Sequence, residues 1–391
     1  MRLRHPDGTV VHLAYCANVH PADDLPGILD ALHRYAVPVR RRLGVPRLSV
    51  GLWLPRPVAA VLVAYPGALE KLRAALTEGG LEVVTLNGFP YAGFGREVVK
   101  TDVYLPDWAD PDRLAYTLDL AAVLAALLPE DTVRGSVSTL PLGWAPWWDG
   151  ERHDRARRHL DALAAGLADL EARTGRTIRV GLEPEPGCVV QTTADAARHL
   201  SDLDTARVGV CMDTCHLAVE FEEPDAALAR LEAAGLPVVK TQASAALHAA
   251  DPSAARRELA AFAEPRYLHQ TRARAADGVR RTDDLPDALA GGLPVDGPWR
   301  VHFHLPLHAD PPAPLTSTRA DLCAALNALF GGPAARTDHV EVETYTWTVL
   351  PGDQPDLVEG IAAELDWTRA ELVRLGLSAE TAPHPAPRET L

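Results

Sequence analysis

What this chain lacks removes several classes of function. Its five cysteines (Cys16, Cys188, Cys211, Cys215 and Cys323) are odd in number and include no CxxC pair. Neither a disulfide framework nor a structural zinc site is favoured, and a reducing cytoplasm is the expected setting. Positive charge is short: 38 Lys and Arg against 53 Asp and Glu leave a formal charge of -15. That balance repels polyphosphate and speaks against a nucleic-acid partner. Almost all of the cationic side is Arg, with only Lys100 and Lys240 near candidate chemistry. Long apolar runs are missing too, and the opening "MRLRHPDGTVVHLAY" is broken by charges and Gly8. A soluble protein without signal peptide or membrane insertion is expected.

What is present is an ordinary globular composition, 47% hydrophobic and 23% charged over 391 residues, enough to bury a substantial core. Short β-rich runs alternate with Ala/Leu/Arg stretches of helical period. The runs are "VVHLAYCANVH" (10–20), "LSVGLWLP" (48–55), "LEVVTLNGFPY" (81–91), "VRGSVSTLPLG" (133–143), "IRVGLEPEPG" (178–187), "RVGVCMDTCH" (207–216) and "LPVVKTQAS" (236–244). Pro or Asp often opens the intervening helices and Gly often closes them, the normal asymmetry of helix caps. Strand then helix, seven times over, predicts an α/β fold with a parallel sheet covered by helices, a (β/α)8 TIM barrel in one domain over 1–376. Three further strand candidates follow, "RYLHQTRA" (266–273), "WRVHFHLPLH" (299–308) and "HVEVETYTW" (339–347). Closure needs one of them, so an insertion late in the barrel, about 245–300 with a hairpin and a loop, is expected. The Pro-rich segment 377–391 reads as a flexible tail.

In such a barrel the chemistry sits where strands end. The apolar runs here finish in Asn87, Ser138 and Thr139, Glu183 and Glu185, Asp213 and His216, Gln242 and Ser244, His302 and His304, and Glu341 and Glu343. A carboxylate at the end of a buried strand is expensive to desolvate without a cation, a donor or a proton. Successive strands ending in Glu183 and Asp213 make a metal the economical answer. "HFH" and "VEVE" each place two ligands on one strand face, and the later members, His304 and Glu343, lie nearer the rim. Two Glu, one Asp and one His suit Mn²⁺, Mg²⁺ or Co²⁺, with Zn²⁺ less favoured. His216, three residues past Asp213, is expected to contact a substrate hydroxyl or orient a carboxylate, whereas Cys211 and Cys215 read as packing. Asn87 with Phe89, Tyr91 and Phe94, and "GWAPWW" with Trp144, Trp147 and Trp148, suggest an apolar wall and lid over a polyhydroxylated ring.

The order of these motifs, "EP" at Glu183, "MDTCH" at Asp213 and His216, a late His strand and a terminal "VET" at Glu343, resembles the xylose isomerase-like barrel superfamily of sugar isomerases and epimerases. More narrowly, "YCANVHP", "TLNGFPY", "STLPLGW" and "HFHLPLH" are similar to the metabolite-traffic EboE family over most of residues 10–350. The superfamily resemblance implies a divalent ion on Glu183, Asp213 and Glu343. It also implies that two Glu, here Glu183 and Glu343, shuttle a proton through a metal-bound cis-enediolate, with His216 as a substrate contact. The seventh strand departs from that pattern: it carries Gln242 where the epimerases usually have His, so His304 or His302 must supply the imidazole.

Three functions are thereby in view. The first is a metal-dependent isomerase or epimerase of a sugar- or cyclitol-like metabolite, whose site also includes Asn87, Phe89, Trp144 and Gln242 as substrate contacts. The second is a non-catalytic binding or export accessory protein working with proteins of the same biosynthetic cluster. The third is a metal-dependent hydrolase, for which the acidic charge is unsuited if the substrate is DNA.

Overall fold

The computed structural model describes residues 1–352 and 356–379. Eight parallel strands close on themselves: β1 (Val10–Cys16), β2 (Leu48–Trp53), β3 (Thr85–Asn87), β4 (Arg134–Thr139), β5 (Thr177–Leu182), β6 (Val208–Asp213), β7 (Val238–Ala243) and β8 (His339–Val342). Closure is made by β8, whose His339 and Val342 pair with His12 and Tyr15 of β1, while Val340 and Glu341 pair with Thr241 and Gln242 of β7. Of the three late candidates, therefore, it is "HVEVETYTW" that completes the barrel. The reason is that its four strand residues are all buried, as a strand sandwiched between side chains inside and helices outside must be.

The outer helices follow the expected signals. Asp149 caps Gly150–Thr174 by accepting from the Arg152 N–H at 2.8 Å. That helix ends at Gly175, whose φ of +67° is left-handed, a conformation in which a Cβ would be strained. Thr192 and Asp195 form a reciprocal capping box at Thr193–Leu200, satisfying two amides that a helix start leaves unpaired.

The late insertion is larger than expected. Between β7 and the helix Arg319–Phe330 the chain builds a five-stranded antiparallel sheet. Its strands, in spatial order, are Gly278–Thr282, Thr271–Ala275, Trp299–Val301, Leu247–Ala249 and Thr316–Ser317. The expected hairpin is present at 271–282. The stretch "HFHLPLH", by contrast, is not a barrel strand: only Trp299–Val301 is paired, and His302 onward runs free of any strand. The sheet has its own core around Phe262, Trp299, Phe303 and Leu259, so it packs as a second small layer on the barrel. Residue 377 does not start a loose tail, because Leu377 is buried and Ser378–Ala379 pairs with Arg2–Arg4. The rest of the expected tail lies outside the described residues.

Candidate metal centre

Three carboxylates converge from three strands at the C-terminal end of the barrel. Glu183 follows β5, Asp213 ends β6 and Glu343 follows β8. All three are buried, and an oxygen of each lies within 4.8 Å of one from the others. Nothing in sequence proximity brings them together; the common strand direction and the closed barrel do. Burial pushes the Glu183 carboxyl well above its ordinary range, and the neighbouring Glu343 and Asp213 charges add to the shift. Burial likewise raises Glu343, with Asp213 and Glu341 contributing. Three anions in so small and dry a volume repel one another unless a cation or protons intervene.

The surroundings orient two of the three acids without neutralising them. Glu343 Oε1 accepts from Asn18 Nδ2 at 2.7 Å and Asn87 Nδ2 at 2.8 Å. Asp213 Oδ1 accepts from Ser244 Oγ at 2.8 Å and from the His216 N–H at 2.9 Å, so the cap reading of Asp213 and the site reading are both satisfied by one side chain. The second oxygens, Glu183 Oε2 and Asp213 Oδ2, are buried without a hydrogen-bond partner. Buried acceptors left bare in this way are costly unless a ligand meets them.

His304 reaches Asp213 from the insertion, where it groups with Asp213 and His216. Its Nδ1 lies 2.6 Å from the Glu343 carbonyl, an acceptor, so Nδ1 carries the proton and Nε2 presents its lone pair. Nε2 has no hydrogen-bond partner and lies 3.9 Å from Asp213 Oδ2. A ring donating one N–H to a carbonyl while baring the other nitrogen is how metal-binding imidazoles are held. Gln242 sits inward between Asp213 and Glu341 in register. Both of its amide heavy atoms are buried and unpartnered, and it does not line the open cavity. One layer below, Lys240 forms a fully buried ion pair with Glu341. Gly51 makes room for it, since a Cβ there would stand 1.3 Å from Glu341 Oε1.

His216 and His302 lie beside the carboxylates. The Nδ1 of His216 is 2.9 Å from the Pro184 carbonyl. That of His302 is 2.7 Å from Gln270 Oε1, and Gln270 is oriented by donating to the Pro186 carbonyl at 2.9 Å. Both Nδ1 atoms are therefore donors, and the two unprotonated Nε2 atoms face each other at 3.0 Å, with the Tyr345 hydroxyl 3.5 Å from that of His302. Two lone pairs at that separation call for a shared proton or ion. Burial lowers the His216 pKa to about 4, and burial with the neighbouring imidazoles lowers His302 well below its ordinary value. Protonation is thus disfavoured near neutral pH. Cys215 lies close to His302 and His304, but burial pushes its thiol up, leaving it a packing group.

A cavity opens over the centre. Asn87, Phe89, His216 and Phe94 line it as the sequence suggested. Trp144 does not: it lies one layer back, stacked on Tyr104 with ring centroids 4.7 Å apart. Trp147 is partly exposed and away from the cavity. Sequence reasoning passed over Asn18, Tyr104, Gln270 and Tyr345. Asn18 alone left a signal, a polar residue just past β1, whereas Gln270 lies on a loop and Tyr104 and Tyr345 in short 3₁₀ turns whose position no local pattern predicts. Glu185, noted as a strand-end acid, accepts from Tyr104 Oη at 2.7 Å, and burial raises its pKa to about 8.

These observations meet the comparisons with known proteins. The family described as "Xylose isomerase-like TIM barrel" matches residues 49–259. The chain belongs to that family. No curated protein matches it. Among solved structures, the xylose isomerase-like TIM barrel protein from Mycobacterium smegmatis, in complex with magnesium, is 16% identical with a TM-score of 0.50, covering 95% of this chain and 94% of that one. L-ribulose 3-epimerase is 12% identical with a TM-score of 0.50, covering 93% and 95%. At these identities the likeness is one of fold. Like other members of this architecture, the xylose isomerase-like chain places its polar groups at the strand ends, and Glu183, Asp213, His304 and Glu343 present a donor set that fits a divalent ion.

Proposed function

We propose that the protein is a divalent-metal-dependent isomerase or epimerase of a polyhydroxylated, sugar- or cyclitol-type metabolite. The observation that carries this reading is the meeting of three buried carboxylates, with the bare Nε2 of His304 beside Asp213, while Glu183 Oε2 and Asp213 Oδ2 have no hydrogen-bond partner. Glu183, Asp213, His304 and Glu343 would hold the ion, which when bound polarises a substrate carbonyl and acidifies the adjacent C–H. Glu183 and Glu343 then serve as base and acid for that carbon-bound proton. Their burial suits the role, because a dry carboxylate is a stronger base than a solvated one. Asn18 and Asn87 hold Glu343 at one angle, and Asn87, His216 and Phe89 contact the substrate. The likeness of "YCANVHP" and "HFHLPLH" to the EboE family supports a setting in secondary-metabolite biosynthesis or traffic, and five unpaired cysteines suit the cytoplasm.

Among the described residues, no helix is long and apolar enough to cross a membrane. The deciding experiment is solvent exchange. Metal-loaded protein incubated in D₂O with candidate ketoses and inososes should place deuterium on the carbon next to the carbonyl of its substrate. Full turnover by Glu183→Gln or Glu343→Gln on a substrate so identified ends the mechanism. One observation favours a second reading: the opposed imidazoles of His216 and His302, adjoining His304, offer a further ion position of the kind used in two-metal hydrolysis. Cleavage of a phosphodiester without any C–H exchange would shift the assignment there.

A further inference from the structure

The cavity over the metal centre has two unlike halves. Its lining divides by chemistry into a polar set, the floor, with Asn18, Asn87, Glu183, Glu343, His302 and His304, and an apolar set, the wall, with Pro90, Phe94, Val99, Val103, Tyr267 and Leu268, in which Phe94, Val99 and Tyr267 cluster and Val103 packs against them. Phe94 and Tyr267 close with Tyr345 into a ring cluster, with centroids 5.2 Å, 5.5 Å and 4.9 Å apart. The wall is a composite of two chain segments. The N–H groups of Val99 and Lys100, in the loop after β3, donate to the Arg266 carbonyl of the insertion at 2.8 Å and 3.0 Å. The apolar half is thus built by parts outside the eight strands and held in place by hydrogen bonds.

Charge narrows the choice further. The lining contains three Glu, at 183, 185 and 343, and a single Lys or Arg, Lys100. Lys100 Nζ already donates to Asp284 at 2.6 Å. Apart from an ion on the carboxylates, a phosphate entering here would find one cationic side chain, whose charge is already matched. A small, fully hydroxylated sugar would satisfy the floor and leave the wall against water or hydroxyls, forgoing the burial that apolar surface favours.

We infer that the cavity takes an amphipathic, unphosphorylated substrate: a polyhydroxylated carbonyl compound, or its glycoside, whose polar ring rests on the carboxylate and histidine floor and whose apolar substituent lies against the Phe94, Val103 and Leu268 wall. The assignment of the polar ring to the floor rests on the function proposed above. The apolar preference of the wall can be read separately.

The test is calorimetric titration of the full chain, with and without Mn²⁺, using matched methyl and phenyl glycosides of glucose, galactose and xylose, together with glucose and glucose 6-phosphate. In at least one pair the phenyl member should bind at least about tenfold more tightly than the methyl member, with a more negative heat-capacity change. Glucose 6-phosphate should bind no more tightly than glucose. Val103→Ser and Leu268→Ser, at partly buried positions, should each lose most of the phenyl gain while retaining Mn²⁺. Equal affinities within every pair, no binding by any phenyl glycoside, or tighter binding of the phosphate overturns the inference. A phenyl gain in protein that holds no Mn²⁺ would sustain the wall assignment and sink the metal-dependent function, whereas retained Mn²⁺ without the gain would do the reverse.

Discussion

Lys240 on β7 and Glu341 on β8 form an ion pair with neither side chain exposed, one layer below the ring of candidate ligands. The pair matches a full cation with a full anion inside a barrel end rich in acids, and Gly51 leaves the space that Glu341 occupies.

Breaking this pair on one side should be far worse than removing it whole. Lys240→Met leaves a buried, uncompensated carboxylate and should destabilise the fold by about 3–5 kcal/mol, whereas Lys240→Met with Glu341→Leu should recover most of that loss. Urea unfolding of the three proteins measures it. A single variant as stable as wild type would show that the pair contributes nothing.

Relief of repulsion gives the carboxylate cluster a signed prediction. In metal-free protein, Asp213→Asn should leave the melting temperature unchanged or higher, because it removes one of three adjacent buried charges. In Mn²⁺, wild type should gain several degrees, as a ligand at about 100 times its Kd contributes about 2.7 kcal/mol, and the variant should gain nothing. Equal Mn²⁺-induced shifts in both proteins would exclude Asp213 as a ligand.

The facing imidazoles predict stoichiometry. Protein loaded with excess Zn²⁺ or Mn²⁺ and desalted should retain a second ion in wild type. His302→Ala should lose that ion and keep the first, as read by mass-spectrometric metal analysis. Gln270→Leu, which frees the His302 ring from its acceptor, should weaken the second ion by roughly 10–100-fold, the usual effect of removing such an outer partner. One ion in wild type and in both variants would assign the 3.0 Å contact to a shared proton.

Glu364 gives a pH prediction away from the centre. It accepts from Thr344 Oγ1, the Leu307 N–H and Trp347 Nε1 at 2.6, 3.0 and 3.0 Å, yet burial raises its pKa from 4.5 to about 7. A raised carboxyl holds a proton in the folded state that the unfolded chain has released. Its stabilising contribution is therefore complete below pH 4.5 and is lost as pH rises towards 7. The loss amounts to about 3 kcal/mol. Glu364→Gln should flatten that slope in denaturant titrations run between pH 4.5 and 7.5; an unchanged slope assigns it to other groups.

Much of this protein was determined by sequence alone. Strand and helix alternate with local periodicity and caps, both of which act within a few residues, so the barrel and the positions of Glu183, Asp213 and Glu343 at strand ends follow from the chain as written. The same logic failed at "HFHLPLH", which has the alternation of a strand but lies in an insertion whose sheet pairs only Trp299–Val301. Pairing depends on which distant partner is free, and β7 and β1 had already been matched by β8. Trp144 has the character of a lid residue, yet Tyr104, brought in by the 3₁₀ turn Lys100–Tyr104, stands between it and the cavity. Only the tertiary structure shows His304, 62 positions beyond Gln242, reaching Asp213 from the insertion. Only it decided that His216 and His302 meet through their bare nitrogens. Those facts depend on where a folded layer docks and on which carbonyl each ring meets, and neither is encoded in any short stretch of residues.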